Sequence, residues 1–137
     1  MRNIIAVLLL IAAGIHLAPL VGAFGASSLG DMYGLSFEEK NIQILMRHRA
    51  VLFGILGAFL GYAAFVPRLQ ALAFAAGLAS VLSYIWLALA VGSYNAALNR
   101  ILLIDLLALA CLMIGAGMRL ILLRSSPHLS DPMMRQT

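Results

Sequence analysis

Four long apolar runs, separated by short polar stretches, set the first expectation for this chain. They cover about 4–24, 42–66, 69–92 and 98–123. Each exceeds the roughly 18 apolar residues that mark a transmembrane helix candidate, and a bilayer core takes about 20 residues of helix to cross. The pattern predicts an all-α polytopic membrane protein. Its fold would be an antiparallel bundle of four transmembrane helices over 1–124, followed by a flexible cytoplasmic tail at 125–137. The first run also resembles a secretory signal, with Arg2 before the apolar stretch and small residues at Ala23 and Gly25. His16 and Pro19 interrupt its core, so a retained helix is the preferred reading.

The links differ in character. Residues 25–41 form the longest, and Ser36 followed by Glu39 has the spacing of a capping box, placing the start of the second helix near Phe37. "VPR" at 66–68 is so short that the helices on either side should lie antiparallel. In "GSYNAALNR", Asn95 and Asn99 read as turn and helix-cap residues. The stretch after Arg124 contains two prolines and no periodicity, as a loose tail would.

Composition strengthens the membrane reading. The 137 residues are 64% hydrophobic and 10% charged, with a mean hydropathy of +1.03. A soluble domain is about half apolar and one quarter charged. The net charge of +4 does not indicate nucleic acid, because the nine Lys and Arg residues are scattered at the ends of apolar runs. With the N-terminus inside, Arg2, Arg68, Arg119, Arg124 and Arg135 share the cytoplasmic side, and Lys40, Arg47, Arg49 and Arg100 the other. The positive-inside rule then favours both termini in the cytoplasm, by five bases to four. Cys111 is the single cysteine, which excludes an internal disulfide, a Cys-x-x-Cys relay and a cysteine-based zinc site.

The candidate chemistry is the polar residues inside the runs. At about 100° per residue, Ala50, Gly54, Gly57 and Gly61 form one stripe on the second helix, and small residues let helices approach closely. Arg47 lies within about 40° of that stripe's centre and is expected to face the interior. Arg49 aligns with Phe53, Leu56 and Leu60 on the opposite flank and is expected to snorkel toward lipid headgroups. His48 falls between the two directions. The third helix carries Ala73, Ala76, Gly77, Ser80, Ser83 and Tyr84 on one stripe, and the fourth carries Asp105 on the side of Ala108, Leu112, Gly115 and Ala116. Counting depth from each run's end brings His16, Arg47, Tyr84 and Asp105 to the outer interface together. An ionisable side chain within a span should face the interior and find a partner, and Arg47 with Asp105 is the economical pair.

Two readings of this cluster follow. In one, the pair is a structural clasp, as in an assembly subunit of a membrane complex, and His16 bonds a carbonyl freed by Pro19. In the other, His16, Arg47, His48, Tyr84 and Asp105 mark an outer-leaflet pocket for an amphipathic small molecule such as a quinone, isoprenoid or lipid, since apolar walls with a few convergent polar groups make a ligand site. Haem is the weaker candidate: His16 and His48 are available, but two histidines on separate helices are a weak signal. A membrane-bound redox enzyme subunit is a third class. No Gly-rich phosphate loop, His-Glu-x-x-His motif or Gly-x-Ser-x-Gly elbow is present. The glycine stripes also suit contacts in a homo-oligomer.

Tyr33-Gly34, then "ILMRHRAVLFGILGAF" and "YNAALNRILLIDLLALACL", resemble small four-helix bacterial inner-membrane proteins of the broad DoxX-like type, over most of the chain from His16 to Leu112. The resemblance implies the four-helix architecture and an association with quinol oxidation and thiol redox systems, hence a quinone or electron-transfer partner. The lone Cys111 departs from a thiol relay, and no catalytic residue carries over.

Overall fold

The computed structural model describes residues 1–24, 30, 33–34 and 39–125. Among these residues the chain is helical and has no strand. The helices are α1 (Arg2–Leu17), α2 (Lys40–Phe65), α3 (Gln70–Val91) and α4 (Ala96–Ser125), with a 3-10 segment, Ala18–Ala23, continuing from α1. Each of the four, with the 3-10 segment counted into the first, is long and apolar enough to cross a membrane. Arg124 and Ser125 end α4, and the tail expected beyond it lies outside the described residues, as do Asp31, Ser36 and Glu38.

Local chemistry explains most of the element ends. Pro19 has no N–H, so the carbonyl of Ile15 loses its i+4 donor and the backbone tightens into the 3-10 segment. Val66 is extended (φ −117°, ψ 92°), as the residue before Pro67 must be, and α2 stops there. Gly92 ends α3 at φ 62°, ψ −177°, a conformation essentially restricted to glycine. Asn95 caps α4: its Oδ1 accepts the Leu98 N–H at 2.8 Å. The capping box expected at Ser36 and Glu39 cannot be traced, since Ser36 is undescribed. Glu39 stands at the N-cap position of α2 without a side-chain cap, and its Oε1 accepts instead from Asn41 Nδ2 at 3.2 Å.

Helix α1 packs on α2 and α4, α3 packs on α4 and α2, and the 3-10 segment lies on α2. Small residues fix the closest approach. A Cβ on Gly57 would stand 2.9 Å from the Leu17 nitrogen and 3.0 Å from the Ala13 oxygen. One on Gly54 would run into the Leu20 side chain, and one on Gly61 would touch Ala13. Residue numbers thus rise along α2 as they fall along α1. On the other side of the molecule Gly77 receives Leu112, and Gly115 receives the Phe74 ring. Ile5, Leu9, Leu60, Val81 and Leu112 are fully buried in the resulting core.

The exposed faces are as apolar as the core. Val7, Ile55, Phe65, Leu72, Trp86, Leu89, Leu107, Ile114 and Ile121 all lie on the outside. Soluble monomers rarely leave apolar surface so continuous.

Candidate functional site

The polar residues converge at the end of the molecule where α1 passes into the 3-10 segment, α2 begins and α4 begins. His16 is 2% exposed. Its Nδ1 lies 2.8 Å from the Ala12 carbonyl. A carbonyl only accepts, so Nδ1 carries a hydrogen and donates it, which leaves Nε2 outside that bond. This bond uses the i−4 carbonyl of the helix rather than Ile15, the group that Pro19 leaves without a donor. The ring also stacks at a tilt on Phe53, with centroids 5.8 Å apart.

His16, Tyr33, Arg49, Phe53 and Asp105 line a cavity of about 250 Å³, walled further by Ile15, Pro19, Ile101 and Ile104. A second cavity of about 570 Å³ adjoins it, lined by Ser80, Ser83, Tyr84, Leu87, Tyr94 and Leu98 and again by Tyr33, Arg49 and Phe53. Arg49 is the hinge between the two. Its guanidinium carbon stands 5.2 Å from the Phe53 ring, 5.6 Å from that of Tyr33 and 5.7 Å from that of Tyr84. Cation–π contacts of this length contribute about 0.5–1 kcal/mol each, more where water is excluded.

The structure reverses the expected directions of the two arginines. Arg47 is exposed and donates through Nε to the Ala23 carbonyl at 2.8 Å, so it braces the end of the 3-10 segment. Arg49 is half-buried and shares the smaller cavity with Asp105. The physical reason is the width of the buried face. Helix α2 meets the 3-10 segment at Gly54 and α1 at Gly57, and it also buries Ala50 and Leu60, with Phe53 and Leu56 half-buried. The stripe assigned to lipid is therefore the second half of one broad buried face, and Arg49 lies on it. His48 is exposed and lines neither cavity. Of the five residues singled out from the sequence, His16, Tyr84 and Asp105 gather around Arg49, while Arg47 and His48 stand outside.

Tyr33 and Arg49 are the members that sequence reasoning missed. Tyr33 sits in the long link, where no periodicity reports burial, yet it is 3% exposed. Asn95 holds it there: Nδ2 donates to the Tyr33 carbonyl at 2.9 Å and to the Gly34 carbonyl at 3.2 Å. Burial pushes the Tyr33 phenol above its ordinary value of 10.0, with the Arg49 cation opposing the rise and Asp105 adding to it. At neutral pH this phenol is an uncharged hydroxyl, able to donate and to accept. The Tyr84 hydroxyl reaches the Leu98 carbonyl at 3.5 Å, the long end for such a bond.

The arrangement offers one guanidinium, one carboxyl group, one imidazole and three phenols within mostly apolar walls. Among the described residues no group of three or more His, Cys, Asp or Glu is placed to hold a metal ion. His16 and His48 do not converge, so the pair does not supply two axial ligands to a haem. Cys111 is buried away from this cluster, in a position lining neither cavity.

No protein-family profile matches the chain, no curated protein is significantly similar to it, and no solved structure matches it.

Proposed function

We propose that the chain is an integral protein of the bacterial inner membrane, an antiparallel four-helix bundle with both termini in the cytoplasm, and that its outer-leaflet cavities bind an amphipathic small molecule. The opposed numbering of α1 and α2 across Gly57 and the four-residue link after α2 support the antiparallel arrangement. The observation that carries the binding reading is Arg49, a half-buried cation standing between two adjoining apolar cavities. Its guanidinium would hold a carbonyl or anionic headgroup, with Tyr33 donating a hydrogen bond and His16 Nε2 making another. The larger cavity, walled by Leu87, Val91 and Leu98, would take the apolar body. A quinone, the ligand class suggested by the DoxX-like resemblance, fits this chemistry, as does an isoprenoid or lipid with an oxygen-bearing head.

The second reading is a scaffold or assembly subunit in which Arg49 only locks helices together. The three rings around its guanidinium favour that reading, since they already give the cation partners.

Native mass spectrometry and solvent extraction of the detergent-purified protein separate the two, with a short-chain benzoquinone added as a probe. We expect a co-purifying amphiphile or bound probe in the wild type and in Arg47→Leu, and its loss in Arg49→Leu. A folded wild type that carries no guest and binds no probe would leave the scaffold reading standing.

A further inference from the structure

The opposite end of the molecule holds a cavity of different character. It measures about 520 Å³ and lies where α1 begins, α2 ends and α3 begins. Arg2, Asn3, Gln70 and Arg119 supply its polar groups, and Val7, Leu10, Phe65, Leu122 and Leu123 are among its apolar walls. Among the described residues no acidic one lines it. Arg119 gives one bond, from Nη2 to the Pro67 carbonyl at 3.3 Å, and a guanidinium has five N–H donors. Arg2 is exposed at the rim. Both α1 and α3 start here with no side-chain cap and no acid in the first turn, so two uncapped, partially positive helix ends face the same region.

From this geometry we propose a second binding site, independent of the cavities around Arg49, that takes the phosphate headgroup of an anionic phospholipid. The charge selects the occupant. Two arginines and two helix N-termini, uncompensated by any carboxylate in the lining, complement a phosphate, which guanidinium groups bind in bidentate fashion. The walls choose the source of that phosphate. Val7, Leu10, Phe65 and Leu123 continue from the cavity onto the apolar outer surface, where acyl chains would lie, whereas a free inorganic ion has no use for them. Basic pockets between spanning helices at the cytoplasmic face are the common form of such lipid sites. Gln70 is 8% exposed and its Nε2 donates to the Ala64 carbonyl at 3.5 Å; an amide nitrogen carries two hydrogens, so the second is available to a headgroup oxygen.

The test uses the full chain in mild detergent, with phosphatidylglycerol titrated against phosphatidylcholine and followed by native mass spectrometry and thermal shift. We expect preferential binding of phosphatidylglycerol, and about a fivefold loss of affinity for each arginine removed in Arg2→Gln and Arg119→Gln. Arg2→Gln carries the weight of the test, because Arg119→Gln also cuts a tie to the Pro67 link and could unsettle the fold. Arg68→Gln, an exposed change outside the lining, should leave affinity unchanged. Equal binding of the zwitterionic lipid, or equal losses in Arg2→Gln and Arg68→Gln, would overturn the site as diffuse surface charge. Displacement of the lipid by millimolar inorganic phosphate would overturn the lipid and leave a free-anion site. Quinone probe binding measured on Arg2→Gln should match wild type, so a failure here is distinct from a failure of the outer pocket.

Discussion

Arg49 and Asp105 line one cavity in a setting of low polarity, where a lone charge is costly. They share it without standing within ion-pair distance, so their coupling acts across the cavity and is weaker than the about 3–5 kcal/mol lost when a buried contact pair is broken from one side. Arg49→Leu and Asp105→Leu should each lower the melting temperature, and the double variant should recover part of the loss. Strictly additive losses in a thermal-melt cycle would mean that the two charges are not coupled. Arg47 gives an instructive contrast. From the sequence it has the same charge and nearly the same depth as Arg49, and the small-residue stripe beside it drew the inward assignment. That stripe marks where α1 comes closest, not the middle of the buried face. His16, Tyr84 and Asp105 were legible as site residues because each is a polar group inside an apolar run. Tyr33 was not, because its burial depends on Asn95 reaching across from another element.

The helices were legible for the opposite reason. Apolar length alone announces them, and the expected spans at 42–66, 69–92 and 98–123 fall within two residues of α2, α3 and α4 at every end. The 3-10 finish of α1 was foreshadowed by Pro19, but periodicity cannot tell a 3-10 turn from one more turn of α-helix. Packing between elements depends on glycines that differ sharply in what surrounds them. At Gly57 the neighbours of a new Cβ include backbone atoms of α1, which cannot swing aside. Gly57→Ala should therefore destabilise by about 1–3 kcal/mol, as overpacking does. At Gly14 nothing lies within 4 Å, and Gly14→Ala should be neutral or stabilise by up to about 1 kcal/mol through helix propensity. Chemical denaturation in detergent compares the two, and an equal cost at both positions would refute the close crossing at Gly57.

For the whole molecule, the polar ends separate cleanly. Lys40, Arg47, Arg49 and Arg100 accompany the Arg49 cavities, while Arg2, Arg68 and Arg119 gather near the opposite end of the helices. If the second end is cytoplasmic, Ser93→Cys in a Cys111→Ala background reacts with an impermeant maleimide added to intact cells, and Ser126→Cys reacts only after lysis. The reverse labelling would invert the orientation and move the outer pocket to the inner leaflet.

Asn95 makes three of the hydrogen bonds that hold the Arg49 end of the molecule together: two to the carbonyls of Tyr33 and Gly34 in the long link and one to the Leu98 amide at the start of α4. A single amide group thus serves two neighbours at once. Were they held by separate residues, the link could lift while the helix end stayed wound, or the helix could fray beneath a seated link. Sharing one side chain couples those two losses, so Tyr33 beside Arg49 and the first turn of α4 are expected to loosen together.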